Sequence, residues 1–161
     1  MTTLTVYIFP TCVGVEQLEN TLLDLQQRQL IEVQDAAAVI WPRGQKPKTG
    51  QLQSLAGPDA LSGVFWGMLF GLIFFVPYFG TETGASIGAL SVRFSKYGIE
   101  HNFIKQTRAT VTEGASALFV LTRGAVQDEI VKALKERTFV IIATNLPEKT
   151  ENDLRGTFCA V

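Results

Sequence analysis

The sequence predicts an α+β fold, a ferredoxin-like split βαβ sandwich with an inserted hydrophobic helical hairpin. Runs rich in β-branched and aromatic residues alternate with stretches whose apolar residues recur at helical spacing, in the order β-α-β-β, insertion, β-α-β. This order is close to a split βαβ arrangement with helices on one face of a mainly antiparallel sheet. We therefore divide the chain into a first half (1–57), an inserted glycine-rich hairpin (58–94) and a second half (95–161) of one body.

The first half predicts two long elements and a hairpin. Leu4–Phe9 is β-branched and aromatic and stops at a proline, which is typical of a buried strand. An apolar stripe predicts an amphipathic helix over Val15–Ile31. Asp35–Trp41 predicts a second strand, and after a polar loop Gln51–Leu55 predicts a short strand that pairs back with it.

The second half repeats the alternation of helix and strand. Ile99–Ala109 predicts a helix, Ser116–Thr122 a strand, Val126–Arg137 a helix and Thr138–Thr144 another buried strand, before a short terminal helix. Because these flanking elements make a complete sandwich, we expect a chain that lacks residues 60–92 to remain soluble and folded.

The inserted segment contains 22 uncharged residues between Asp59 and Glu82. Pro77 interrupts it, so a helix over Ser62–Val76 would be roughly 22 Å long, short of the roughly 30 Å hydrocarbon core of a bilayer. A second arm, Thr83–Val92, completes a hairpin that we expect to re-enter a membrane or lie at its interface.

Small and aromatic residues form stripes along this hairpin. Gly63, Gly67 and Gly71 are four apart, although each glycine costs a helix interior roughly 1 kcal/mol relative to alanine. Close packing against another helix would compensate for that cost. The predicted membrane or assembly interface consists of Gly63, Trp66, Gly67, Phe70, Gly71, Phe74, Pro77, Gly84 and Gly88. The alternative is a helix pair in the core of a soluble domain.

Charges flank the hairpin on both sides. The basic residues are Arg43, Lys46 and Lys48 before it and Arg93, Lys96, Lys105 and Arg108 after it. They favour both ends of the hairpin, and the ferredoxin-like body, on the cytoplasmic side of an anionic membrane. Glu82 opposes full-depth insertion, because a carboxylate at the bilayer centre costs roughly 2.5 to 3.5 kcal/mol.

Three motifs together resemble a known family: "SGVFWGMLFGLIFFVPYFG", "SKYGIEHNFIKQ" and "GASALFVL". The chain resembles a bacterial family of membrane proteins of unknown function, domain of unknown function twelve sixty-nine, almost end to end. The resemblance implies a ferredoxin-like body with an inserted hydrophobic hairpin. It implies no enzymatic activity and no catalytic residue.

Few residues suggest chemistry. His101 is the only histidine, and we interpret it as a surface residue. Cys12 and Cys159 lack CxxC spacing, so we interpret them as reduced thiols, with a disulfide between the two as the alternative. The sequence has no dinucleotide, phosphate-loop, hydrolase or zinc-protease motif. We therefore expect no catalytic, cofactor or metal site, and a net charge of -1 gives no case for nucleic acid as a partner.

The first residues lack a basic region and a cleavage site, so we expect no secretory signal.

Three functional hypotheses remain. The leading hypothesis is a non-enzymatic membrane-associated protein that self-assembles, or docks onto an integral membrane protein complex, through its glycine-rich hairpin. The alternative is a soluble homo-oligomeric ferredoxin-like module that binds a small ligand or regulates a partner. The least favoured is an enzyme that uses Cys12 or His101.

Overall fold

The computed structural model describes residues 2–58, 60–74, 94–124, 126–134 and 139–158. Within them the fold is mixed α+β, with a five-stranded antiparallel sheet. In chain order the elements are β1 (Thr2–Phe9), α1 (Gly14–Gln27), β2 (Val33–Ile40), β3 (Lys48–Gln51), a 3-10 helix (Gln53–Leu55), α2 (Gly63–Phe74), α3 (His101–Thr110), β4 (Ser116–Arg123), α4 (Gln127–Leu134), β5 (Val140–Leu146) and α5 (Glu148–Phe158).

The sheet has the strand order β3-β2-β4-β1-β5. The first strand of the chain is therefore internal, and both of its partners come from the second half of the sequence. Leu4 lies opposite Leu121 of β4 on one side and Thr144 of β5 on the other. All eight residues of β1 are buried, as expected for a strand that is paired on both edges and covered on both faces.

Helices cover both faces of the sheet, which corrects the expectation that they lie on one. Alternate residues of a strand point to opposite faces, and in β1 both sets are largely apolar: Val6 packs in one core cluster and Tyr7 in the other. α1 and α4 cover the Tyr7 face, while α2 and α3 cover the Val6 face. Two apolar faces need two covers, because neither can be left to water.

The predicted strand Gln51–Leu55 is placed too late in the sequence. β3 is Lys48–Gln51, so its first three residues lie in the predicted polar loop, and it pairs with Ile40–Ala37 of β2. Residues 53–55 form the 3-10 helix, which buries Leu55. An edge strand with an exposed surface needs no apolar alternation, so its sequence looks like a loop.

The first helix ends earlier than its apolar stripe indicates. α1 stops at Gln27, because Gln29 adopts a left-handed conformation with φ of 61°. The Leu30 N–H then donates to the Leu25 carbonyl, which closes the helix end. Ile31 is still buried in the core beside α1, which explains why it extends the helical pattern.

Candidate assembly helix and its anchor

Helix α2 is the first arm of the predicted hairpin, and its residues divide into two faces. The inner face lies on the sheet, with Phe65, Leu69 and Ile73 fully buried and Trp66 and Phe70 almost so. The outer face is made of Gly63, Val64, Gly67, Met68 and Gly71, of which the first two are exposed and the other three half-buried. The glycine stripe therefore points away from the sheet.

Aromatic rings fix the inner face against the core. Phe70 meets Phe119 of β4 with ring centroids 5.0 Å apart and planes at 76°. Phe65 meets Phe94 edge-on at 5.7 Å, and Phe74 meets Trp41 edge-on at 6.0 Å. Edge-to-face contacts of this kind add stability beyond the burial of apolar area. Within the chain, the predicted interface residues Trp66 and Phe70 thus pack in the core.

A buried carboxylate anchors the N-terminal end of α2. Asp35 on β2 has no exposed surface. Its Oδ2 accepts hydrogen bonds from the Trp66 indole Nε1 at 2.8 Å and from the Leu61 backbone N–H at 2.9 Å. The Gln51 side-chain Nε2 contacts both carboxylate oxygens, at 3.0 and 2.9 Å, and the Ala36 backbone N–H donates to Oδ1 at 2.9 Å. The carboxylate therefore joins β2, β3, Leu61 two residues before the helix, and the helix itself.

The electrostatic state of Asp35 follows from this environment. Burial raises the pKa of its carboxyl group, because the charged form loses hydration, while the hydrogen bonds from Gln51, Trp66, Leu61 and Ala36 act in the opposite direction. All four partners are neutral donors. From the sequence, Asp35 is only the first residue of a predicted strand, and nothing there identifies the site. The available signal was a charged residue that opens an otherwise apolar strand.

The last described turn of α2 contacts a cation from α3. Arg108 donates from Nε to the Ile73 carbonyl at 2.9 Å and from a terminal guanidinium nitrogen to the Leu72 carbonyl at 2.8 Å. Carbonyls toward the C-terminal end of a helix carry partial negative charge, so a guanidinium group beside them is favourable. In the sequence Arg108 is only part of a basic flank, whereas the structure places its guanidinium group on these two helix carbonyls.

The remaining predicted residues are dispersed. Pro77, Gly84 and Gly88, with the whole second arm, lie outside the described residues, as does Cys159. His101 is the exposed first residue of α3, and the Cys12 thiol lies 3.6 Å from the Gly114 carbonyl oxygen, two residues before α1. No group of three or more potential metal-ligating side chains occurs in the described part of the chain.

A surface pocket of about 580 Å³ lies beyond the end of α1, where β2 begins and β4 ends. Its wall includes the side chains of Gln26, Gln29 and the ion pair between Arg123 and Glu32. Gln26 already accepts a hydrogen bond from the Val33 backbone N–H. The pocket is polar on this side and apolar at Leu30 and Val126.

The fold and this helix define an α+β protein in which a wholly uncharged helix is anchored on an antiparallel sheet. The chain belongs to the family described as protein of unknown function (DUF1269), whose model matches residues 60–159. The match therefore starts at the approach to α2 and runs to the C-terminal helix. Neither the curated proteins nor the solved structures contain a match to this chain.

α2 has 12 residues. Among the residues that the structure describes, no helix has both the length and the apolar character to cross a bilayer.

Proposed function

We propose that this protein is a non-enzymatic, membrane-associated protein that assembles with copies of itself or with an integral membrane protein complex. The assembly surface is the outer face of α2 together with the glycine-rich chain that follows it. The observation that supports this proposal is the orientation of the glycine stripe, away from the sheet.

The stripe has no explanation in the contacts that α2 makes with the sheet. The sheet packs on Phe65, Trp66 and Leu69, on the other side of the helix. Glycines at Gly67 and Gly71 cost α2 roughly 1 kcal/mol each relative to alanine. Glycines on the outer face let a second helix approach closely and recover that cost through backbone packing.

The body that carries α2 is, in this proposal, a ferredoxin-like sandwich on the cytoplasmic side. Four strands in the order β2-β4-β1-β5, with α1 and α4 together on one face, support that assignment. β3 and α2 then belong to an insertion between the second and third strands of the motif. Exposed Lys46, Lys48, Lys96 and Lys105 supply positive charge that suits an anionic membrane surface.

Two measurements test the proposal. Cell fractionation with a carbonate wash should leave the protein in the membrane pellet. In mild detergent, Gly67→Leu should reduce the assembled species on native mass spectrometry, because added bulk separates the packed backbones. Gly67→Ala is the matched control, since it improves helix propensity with only one added carbon. Recovery of the wild type as a detergent-free soluble monomer would refute the proposal.

The second candidate function is a soluble homo-oligomeric module that binds a small ligand. The pocket of about 580 Å³ beyond α1 favours it, because its volume suits a small molecule and its wall combines amides with an ion pair. Under this alternative the protein is recovered without detergent as an oligomer. Arg123→Gln then weakens ligand binding without changing the oligomer, whereas Gly67→Leu changes the oligomer.

A further inference from the structure

One end of the sheet collects basic side chains. The register places Phe9 of β1 and Ile40 of β2 opposite the same residue of β4, Ser116. The loops that follow β1 and β2 and the loop that precedes β4 therefore lie together. The last turn of α2 lies there too, because Phe74 contacts Trp41. We call this part of the surface the basic end, after its basic side chains Arg43, Lys46, Lys48 and Arg108.

The loop between β2 and β3 holds its basic side chains on an ordered backbone. The Trp41 indole donates to the Gln45 carbonyl at 2.9 Å, and the Gln45 N–H donates to the Pro42 carbonyl at 3.2 Å. The Trp41 N–H donates to the Ala115 carbonyl, and the Gly114 N–H donates to the Trp41 carbonyl, which joins this loop to the residues before β4. Charges on a backbone that is already ordered bind a partner with a smaller entropic cost.

The charge of this loop is of one sign. Its basic residues Arg43, Lys46 and Lys48 are exposed, and the loop contains no acidic residue. Exposed carboxylates of the same end lie on neighbouring elements, Glu16 in α1 and Glu113 before β4. With the guanidinium group of α3 included, the balance of the described charges at this end is positive.

The opposite end of the sheet carries basic side chains that are paired. Arg28 lies 3.4 Å from Asp24, and Arg123 contacts Glu32. Within the described part of the chain, the basic side chains of the β2–β3 loop form no ion pair. The two ends of the sheet therefore differ in the positive charge that each offers to an anionic partner.

An exposed apolar side chain lies beside the charges of the basic end. Val13, in the loop between β1 and α1, is 64% exposed. The neighbouring Cys12 thiol lies 3.6 Å from the Gly114 carbonyl oxygen, which places Val13 at the same end. Trp41 is half-buried at the start of the basic loop. Tryptophan and apolar side chains next to lysine and arginine are typical of surfaces that meet the interface of a bilayer.

We propose that the basic end lies against the surface of a bilayer that contains anionic lipid, with Val13 directed toward the lipid. This inference rests on the proposed membrane association and adds which surface of the body meets the membrane and which lipid charge it needs. An anionic leaflet increases the affinity by about fivefold for each Lys or Arg near it. The resulting orientation brings the described end of α2 to the membrane, because Phe74 lies at the basic end.

Flotation of the full chain with vesicles provides the first test. The wild type should float with vesicles of phosphatidylcholine and phosphatidylglycerol and much less with phosphatidylcholine alone. The triple variant Arg43→Gln, Lys46→Gln, Lys48→Gln should lose at least about tenfold in affinity for the anionic vesicles. The matched control is Arg28→Gln, Lys132→Gln, Lys149→Gln, which removes the same charge from exposed positions elsewhere and should bind like the wild type.

The flotation result separates this inference from the proposed function. Equal losses in the two triple variants overturn the inference, and so does equal flotation of the wild type with neutral and anionic vesicles. Both of these outcomes leave membrane association through α2 intact. A wild type that floats with neither kind of vesicle contradicts the inference and the proposed function together.

A fluorescent probe tests the orientation. In a chain that also carries Cys12→Ser and Cys159→Ser, an environment-sensitive fluorophore on Val13→Cys should shift its emission to shorter wavelength when anionic vesicles are added. Gln27→Cys, exposed at the other end of α1, is the matched control and should show no shift. A shift at Gln27→Cys as large as that at Val13→Cys overturns the proposed orientation. A shift at Val13→Cys with RNA and none with vesicles would assign the basic end to nucleic acid and would also overturn it.

Discussion

At the scale of single residues, the position of α2 depends on the carboxylate of Asp35. A helix that is apolar on every side has no polar side chain to define its rotation or its shift along the sheet. The Trp66 indole and the Leu61 amide both donate to Asp35, which fixes the start of α2 relative to β2. Removing one donor leaves a buried charge with fewer partners, and that is more costly than loss of an exposed hydrogen bond.

Trp66→Phe should therefore lower the free energy of unfolding by about 1 to 3 kcal/mol. The measurement is denaturant unfolding followed by circular dichroism. Trp41→Phe is the matched control, because the Trp41 indole also donates a hydrogen bond, to the Gln45 carbonyl, at an exposed position. An equal loss in the two variants would show that the Asp35 contact contributes nothing specific.

The pKa of Asp35 gives the stability a defined pH dependence. Burial raises this pKa above the ordinary value of about 3.9, so the folded chain binds the proton more tightly than the unfolded chain. The resulting stabilisation is complete below the ordinary pKa and is lost as pH rises through the raised one. The wild type should thus gain stability relative to Asp35→Asn when pH falls from neutral to about 4.

Thermal melts at a series of pH values measure this difference. Asp24→Asn, at an exposed carboxylate of α1, controls for general loss of negative charge. A loss of wild-type stability relative to Asp35→Asn on acidification would show that the hydrogen bonds, rather than burial, dominate the pKa of Asp35.

At the scale of elements, periodicity predicts most helices and strands, and the failures have physical reasons. Ser116–Thr122 was recognised as a strand because a two-sided core requires a continuous apolar run. β3 was missed because an edge strand exposed to solvent has no such requirement. For α2, uniform apolarity predicts burial but cannot identify which surface buries it. The helix and its glycine stripe are therefore predictable from the sequence, whereas the sheet face beneath the helix and its contact with Asp35 are not.

The end of α2 provides a test at this scale. Arg108→Gln should destabilise the chain by about 1 to 2 kcal/mol, because the carbonyls of Leu72 and Ile73 lose a charged donor. Hydrogen exchange should show the loss of protection concentrated in the last turn of α2. Lys105→Gln changes an exposed residue of α3, the helix that carries Arg108, and should change neither the stability nor the hydrogen exchange. An equal loss in Lys105→Gln would show that the effect comes from loss of a positive charge on α3 and not from the contact with α2.

At the scale of the whole molecule, one of the two faces of the sheet is covered by α2 together with α3. The body formed by the two halves of the chain therefore depends on α2. Phe65, Leu69 and Ile73 pack on the sheet face formed by residues such as Leu4 and Phe119. From the sequence alone, the flanking elements are expected to form a complete sandwich without this helix. Because the described part of α2 belongs to the core, we now expect the opposite result from its removal.

A chain that lacks residues 60–92 should be insoluble or should lack cooperative unfolding, because deletion exposes the apolar sheet face to water. Solubility after expression and the thermal transition by circular dichroism measure this. The control is Val64→Ser in the full chain, which changes an exposed outer-face residue and should leave both properties intact. A soluble, cooperatively folding deletion variant would show that the body is independent of α2.

The internal position of β1 determines the order in which the chain can complete its core during synthesis. Thr2 pairs with Arg123 and Leu146, so the first strand made waits for the last two. Contacts so distant in sequence form slowly, and apolar surface stays exposed until they do. α2 leaves the ribosome before β4, whose Phe119 covers Phe70. During that interval the nascent chain exposes an uncharged aromatic helix. A factor that binds such helices on nascent chains can therefore bind α2 before β4 is available to cover it.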